Sequence, residues 1–439
     1  VLPPLVRYVS CLCVAYTFLP RFLPYGISMN PSCHLLALSA YVPDTVLTNN
    51  DLAKVVDTND EWIVTRTGIK QRHRLDDGDN ASDLGLRAAR KALADAGVDA
   101  KELTHVVGAT CTPDVLSPSV ACIIAGQLGA ERVMAFDISA ACSGFLYGLS
   151  ICSALLAQNP QAKILFVCTE ALTRRVNWAD RSTCVLFGDA ATACIVSNAP
   201  ADGMARIEDV VCHSDGVQRD LIVVGGGTRS RYGLGDPVAE DFFITMQGRE
   251  TYKHAVRNMV HVCEEVLSRN GLTGADVDLL VPHQANMRII EAVGSRLDMI
   301  GERVFTNVEK YGNTSSASIP LALAEARAEG RIRPGSRVLM TAFGAGLTWG
   351  AALLRVGGRT LPCILIVSRA KPWAGQGCCP TRAAGAFRAY GQTPFSIRLR
   401  QRRNEHEHSA VHPRSRSAHG PGHRRFARHW PGHCPNPCP

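Results

Sequence analysis

The stretch Phe136-Asp137-Ile138-Ser139-Ala140-Ala141-Cys142-Ser143-Gly144-Phe145 decides how this chain is read. An apolar run of strand character enters a corner of small residues, and a helical run over 145–157 leaves it. A strand-to-helix elbow of this kind indicates α/β layering. It also sets one thiol, Cys142, at the start of a buried helix. Backbone N–H groups and the positive end of the helix dipole favour thiolate over thiol there, so a lowered pKa is expected. A thiolate held at such an elbow is a good acyl acceptor. The chain has 17 cysteines, so position and not presence singles this one out.

The same alternation extends to both sides. Strands are expected over 34–41, 104–109, 133–138, 163–168 and 191–197, and helices over 81–96 and 118–128, ending at Gly97 and Gly129. A second series follows: strands over 207–213, 221–224, 277–281, 338–342 and 349–355, with helices over 248–268, 288–297 and 316–329. Pro320 falls near the start of the last helix, where proline is tolerated. Each series contains a strand, a corner and a helix that together present a reactive side chain. The expected architecture is therefore α/β with two similar halves, 29–200 and 201–356.

Charge separates the middle of the chain from its ends. The formal net charge is +8, but 357–439 holds fourteen Lys/Arg against two Asp/Glu, and Arg7 and Arg21 add two more positive charges. Residues 29–356 therefore carry about −6, which argues against a nucleic-acid-binding core. Residues 1–28 read as an extension ahead of Met29; their apolar run 8–20 is too short to span a bilayer. The basic, Pro/Gly/His-rich stretch 357–439 is expected to be disordered. Cys434 and Cys438, with His429 and His433, have no second ligand pair at zinc-finger spacing, so no metal is expected. The ten cysteines of the body lie mostly on apolar runs and form no secreted disulfide framework. A reducing cytoplasm is the expected compartment.

Three further corners carry polar or small residues. His283 follows Leu279-Leu280-Val281-Pro282 and precedes Gln284-Ala285-Asn286; Asn313 stands in Tyr311-Gly312-Asn313-Thr314-Ser315-Ser316; and Phe343-Gly344-Ala345-Gly346 closes a strand. A lone histidine is more often structural, and Asn after Gly is usually a turn residue. Backbone N–H groups of a glycine corner can form an oxyanion hole. Taken singly, each corner has a structural explanation.

Taken in order, the corners and one more string resemble a family. Trp62-Ile63-Val64-Thr65-Arg66-Thr67-Gly68-Ile69, the Cys142 corner, His283-Gln284-Ala285-Asn286, Gly312-Asn313-Thr314-Ser315 and Phe343 to Gly350 are similar to β-ketoacyl-acyl-carrier-protein synthase III, the initiating condensing enzyme of type II fatty-acid synthesis. The likeness spans about 29–356. The string beginning at Trp62 sets it apart from chalcone synthase relatives, which share a Cys/His/Asn set.

The resemblance implies a thiolase-like fold with two halves in a five-layer α-β-α-β-α arrangement, and a homodimer. It implies that Cys142 takes an acyl group from acyl-CoA, that malonyl-acyl carrier protein loses CO2, and that the enolate attacks the acyl-cysteine. Acyl-CoA is then a substrate, with no permanently bound cofactor, no nucleic acid and no membrane. His283 and Asn313 are implied as donors to the developing negative charge, and the N–H groups of Cys142 and Ala345 as an oxyanion hole. Ala345 replaces a glycine common in relatives. Trp62, Arg66 and Arg181 are implied to hold CoA. Lys253, Gln284, Arg288 and Arg296 are implied to meet the carrier protein. Phe343, and Ser117 from across the dimer interface, are implied to border the acyl pocket. Ser117 stands where several relatives carry phenylalanine, so longer or branched primers are expected alongside acetyl-CoA. Rival readings are a polyketide- or quinolone-type condensing enzyme, a papain-like cysteine hydrolase with the same residue order, and a nucleic-acid binder using the basic tail.

Overall fold

A computed structural model describes residues 33–199, 204–227 and 240–357, with the backbone of two short strands beyond them. The extension 1–28, the half-boundary at 200–201 and nearly all of 358–439, including the candidate ligands His429, His433, Cys434 and Cys438, lie outside the described residues.

The chain opens with β1 (His34–Val42), β2 (Thr45–Thr48), α1 (Asn49–Leu52), α2 (Asp60–Thr67) and β3 (Gln71–Arg74). Next come α3 (Ala81–Ala96), β4 (His105–Ala109), α4 (Val120–Leu128), β5 (Met134–Ile138), α5 (Gly144–Gln158), β6 (Ile164–Glu170) and β7 (Ala190–Ser197). The second series is β8 (Ala205–Ser214), β9 (Ile222–Val224), β10 (Ile244–Met246), α6 (Gly248–Arg269), β11 (Leu279–Pro282), α7 (Met287–Arg296), α8 (Val308–Tyr311), α9 (Ser318–Ala328), β12 (Arg337–Gly344) and β13 (Thr348–Val356).

Local chemistry sets the helix ends. The Asp83 carboxylate accepts the Asn80 N–H at 2.8 Å, and Gly97 closes α3 at φ +67, where glycine has no Cβ to clash. Ser119 caps α4 by accepting from Cys122 N–H, so Pro118 and Ser119 precede the helix expected to begin at 118. The helices α5 and α9 each begin two or fewer residues from expectation, because a 3₁₀ turn, Ala141–Ser143 or Ser315–Ala317, comes first.

One sheet runs in the order β11-β12-β13-β8-β1-β7-β6-β4-β5. From β1 outward the pairings to β7, β6 and β4 are antiparallel, antiparallel and parallel. From β8 outward the pairings to β13, β12 and β11 repeat that sequence. The two arcs meet antiparallel at His34↔Arg206 and Leu35↔Ala205. The pairing pattern therefore repeats in two similar halves, although no sequence repeat is visible.

The apolar clusters give the layers. On one outer face, Leu84 and Ala88 of α3 and Ile124 of α4 pack on Val106, Leu165 and Ile195. On the other, Val256 and Cys263 of α6 and Val293 of α7 pack on Val211, Leu280 and Leu353. Between the arcs, Phe145 and Leu149 of α5 and Ile319 and Leu323 of α9 join one core cluster with Phe166 of one arc and Ile207 and Met340 of the other. This is the expected α-β-α-β-α order. The segment Ala141–Gln158 is apolar enough to cross a bilayer, but in this fold it is the central core helix.

Beyond 357 the structure describes only two short strands. Leu365–Val367 (β14) pairs parallel with Ala40–Val42, and Lys371–Pro372 (β15) pairs parallel with β2. Leu365-Ile366-Val367 is a β-favouring apolar run inside an otherwise basic stretch.

Candidate active site

Cys142 occupies the 3₁₀ turn ahead of α5, and Ala141 beside it has φ +44. A left-handed alanine is strained and persists only where its surroundings impose it. Here Ser143 Oγ donates to Thr348 O at 3.0 Å, and Gly344 lies so close that a Cβ on it would stand 2.7 Å from Cys142 N. The glycine corner is thus pressed against the backbone of the thiol residue.

Asn313 approaches from the second half. Its Oδ1 accepts the Ser315 N–H at 2.8 Å, which leaves Nδ2 free, and its side chain sits close enough to Cys142 to favour the anionic sulfur. Ser315 has φ +49 and opens the 3₁₀ turn that leads into α9. Gly144 permits the two turns to meet: a Cβ there would fall 3.0 Å from Ser316 Cβ and 3.2 Å from Ala109 Cβ.

His283 follows β11 and is buried. Its Nδ1 lies 2.6 Å from Ser318 Oγ, which also accepts the Gln284 N–H at 3.4 Å. Burial holds the imidazole down to about 3, so it is neutral over the physiological range.

The expected lowering of the Cys142 pKa is not what the site provides. The residue as a whole is half-buried, yet burial of its sulfur pushes the thiol up to about 12. Contacts from Ser315 and Asn313 oppose the rise, and the charge of Glu170 adds to it. Desolvation of an anion outweighs the turn's amide groups in this setting. The resting pair is therefore a neutral thiol and a neutral imidazole, not the ion pair of a cysteine hydrolase.

A cavity of about 840 Å³ joins Cys142, His283, Asn313 and Phe343 to Trp62 and Arg66. Asn59 Oδ1 caps α2 by accepting the Trp62 N–H at 2.8 Å, and Arg288 donates to Thr65 O at 3.0 Å, which fixes α2 against α7. The Arg66 and Arg181 guanidiniums lie 4.5 and 4.7 Å from the Trp62 ring centroid, a cation–π cluster. Lys253, Arg288 and an unanticipated third cation, Arg249, also line the cavity; all three are exposed.

Three expected site residues lie off the cavity within one chain. Gln284 is buried, donating to Pro282 O and Phe305 O and accepting from Asn307 N–H, so it braces the His283 corner and cannot meet a carrier protein. Its polar atoms are already used, and burial forbids leaving them unpaired. Ser117 is exposed on the loop before α4 and does not line the cavity. Arg296 is exposed at the end of α7 and also lies off the cavity.

Glu170 is a residue no motif pointed to. It ends β6, is wholly buried, and accepts from Cys111 N–H at 3.1 Å, Thr112 Oγ1 at 2.8 Å and Ser316 Oγ at 2.9 Å. The available signal was an acid closing the apolar run Ile164-Leu165-Phe166-Val167-Cys168, since carboxylates are rarely buried without partners.

The layering and the converging Cys/His/Asn corners define a thiolase-like condensing enzyme. Residues 136–216 match the model of 3-oxoacyl-[acyl-carrier-protein] synthase III, and 267–356 match that of its C-terminal part. The chain is 58% identical to beta-ketoacyl-[acyl-carrier-protein] synthase III of Nitratidesulfovibrio vulgaris, over 74% of this chain and 98% of that one. It superposes on the synthase III of Aquifex aeolicus with a TM-score of 0.67 at 44% identity, covering 74% of this chain and 99% of that structure. It is also similar to the priming β-ketosynthase of the R1128 polyketide pathway, with a TM-score of 0.69, 35% identity and coverage of 75% and 97%. The chain belongs to the 3-oxoacyl-[acyl-carrier-protein] synthase III family.

Proposed function

We propose that the protein condenses acyl-CoA with malonyl-acyl carrier protein, releasing CoA and CO2 and forming a β-ketoacyl carrier protein. The observation that carries this reading is the single cavity in which Cys142, His283 and Asn313 meet. Cys142 accepts the acyl group. Decarboxylation of the bound malonyl thioester then puts negative charge on its carbonyl oxygen. Neutral donors suit that charge, because they stabilise it without protonating the carbon nucleophile. Ser318 supports the assignment: its hydroxyl pairs with Nδ1 of His283 at 2.6 Å, leaving Nε2 as the ring nitrogen for the substrate. Asn313 Nδ2 is the second donor. The N–H groups of Cys142 and Ala345 serve the tetrahedral steps, a role supported by the close packing of Gly344 on Cys142 N.

Trp62, Arg66 and Arg181 hold the nucleotide end of CoA at the cavity mouth, with the indole as the stacking surface. Lys253, Arg288 and Arg249 form a basic rim suited to an acidic carrier protein. Two copies of the chain pair along β5. That strand ends the sheet, and Phe136 and Ile138 on it are only half-buried, an apolar edge that isolated proteins avoid. Leu116, 83% exposed beside Ser117, supports the same contact and brings the Ser117 loop to the partner. Identities of 47–58% to synthase III relatives favour fatty-acid initiation over a polyketide role.

The test is release of labelled CO2 from malonyl-acyl carrier protein together with an acyl adduct on the peptide containing Cys142. Hydrolysis of acyl thioesters without CO2 release overturns the reading.

A further inference from the structure

His283 and Asn313 are joined by residues that do not line the cavity. The single-turn helix α8 stands between the two corners. Asn307 opens it, and Gly312 closes it directly before Asn313. Asparagine is a favoured helix cap, yet Asn307 makes no capping bond. Its polar groups reach other elements instead. Nδ2 donates to Glu325 Oε2 at 2.7 Å, and the backbone N–H donates to Gln284 Oε1 at 2.9 Å. Glu325 Oε1 accepts from Lys310 Nζ at 2.6 Å, so one carboxylate holds both the residue that opens α8 and one near its end. Asn307, Gln284 and Glu325 are all buried. Lys310 supplies the countercharge that a buried carboxylate needs.

The anchor of this network is α9. Glu325 follows Ser318 on that helix by seven residues, so the two project from one face about 10 Å apart. Ser318 Oγ lies 2.6 Å from His283 Nδ1 and accepts the Gln284 N–H at 3.4 Å. Helix α9 thus meets the His283 corner twice, once directly through Ser318 and once through Asn307 and Gln284.

We propose that Glu325 and Asn307 are positioning residues for decarboxylation: with Gln284 they set the spacing between the His283 and Asn313 side chains. A thioester oxygen that gains negative charge has to meet both donors at once, and a misplacement of about 1 Å can cost about 100-fold. Glu325 and Asn307 touch no substrate; each acts through a corner that does. The turn at Cys142 is held by a different set, with Ser143 Oγ donating to Thr348 O at 3.0 Å and Gly344 packed on Cys142 N. The network therefore bears on decarboxylation and not on acyl transfer.

The inference rests on the proposed condensation, so wild type and variants are assayed side by side. Asn307→Ala and Glu325→Ala should each lower kcat for CO2 release from malonyl-acyl carrier protein by about 10- to 100-fold, with KM within about threefold. Formation of the acyl adduct on Cys142, read by mass spectrometry after exposure to acyl-CoA, should stay within about threefold of wild type. Glu325→Gln keeps an oxygen that accepts from Asn307 and should bring kcat back to within about threefold. A merely structural role would not give this split, because a loosened fold slows both half-reactions together. Should Asn307→Ala fail to fold, Asn307→Asp carries the test, since it keeps the shape but has no N–H for Glu325. Its loss of CO2 release should match. Unchanged CO2 release, an equal loss of acyl transfer, or no recovery in Glu325→Gln overturns the proposal. A wild type that releases no CO2 overturns the proposed function itself, whereas variants that match a working wild type overturn only this inference.

Discussion

The corners at Cys142 and Asn313 are built alike and do different chemistry. Each residue stands within two positions of a left-handed residue, Ala141 at φ +44 and Ser315 at φ +49. Each left-handed residue opens a 3₁₀ turn, and each turn leads into one of the two central helices, α5 and α9. One corner presents a thiol and the other an amide. On the proposed reading, the same backbone device aims a nucleophile from one half and a charge-stabilising donor from the other. If the proposed roles hold, the two half-reactions are divided between the halves of the molecule, and the corners should be separable by mutation.

The largest expected effect is on the nucleophile. Cys142→Ala should reduce acyl transfer by more than about 1,000-fold while leaving decarboxylation measurable. Assaying both half-reactions on the same preparation checks this, and a parallel collapse of decarboxylation breaks the division. The converse variant is His283→Ala, which should cut decarboxylation by about 100- to 1,000-fold and still allow an acyl adduct to form on Cys142. Mass spectrometry of the protein after exposure to acyl-CoA reads the second half of that statement.

Gly344→Ala tests the packing between the halves. Its new Cβ would stand 2.7 Å from Cys142 N. Acyl transfer should fall by about 100-fold from the displaced backbone, with decarboxylation less affected. Equal losses would show that the glycine corner serves both steps.

A smaller effect is expected at the rim. Arg288→Glu, facing the cavity mouth, should raise KM for the carrier protein by about tenfold with kcat held, and salt should shrink the difference. Arg296→Glu, off the cavity, should change neither. Reversal of that order would move the docking surface along α7. The smallest expected effect is a flat line. Because burial holds His283 down to about 3, it stays neutral as pH falls. The decarboxylation rate of substrate-saturated enzyme should then show no limb between about pH 5 and pH 8, whereas an ordinary histidine would give one near about 6.5.

Much of this was legible in the chain. Gly97 and Gly129 ended their helices where expected, because a left-handed cap needs glycine whatever packs around it. The corners at Cys142, His283 and Asn313 were legible because small or turn-forming residues beside apolar strands are local signals. Gln284 was misread because its amide looks like any surface amide until Pro282 O, Phe305 O and Asn307 N–H close around it. Ser117 lies off the cavity within one chain; its expected place at the acyl pocket runs through a second copy, and what covers a loop from another chain is not a local property of the sequence.

The sequence by itself determined the α/β alternation, the places where it turns, and the three side chains that the turns present. Periodicity, caps and turn chemistry act over a few residues and need no distant partner. Only the tertiary structure decided the protonation of those side chains and the company they keep. Cys142 was expected as a thiolate from its helix N-terminus, yet burial keeps it a thiol. Glu170, twenty-eight residues further along, carries no motif and becomes its neighbour only when β6 packs beside the twin turns. Desolvation depends on everything that surrounds a group, and that surrounding exists only once both halves have folded together.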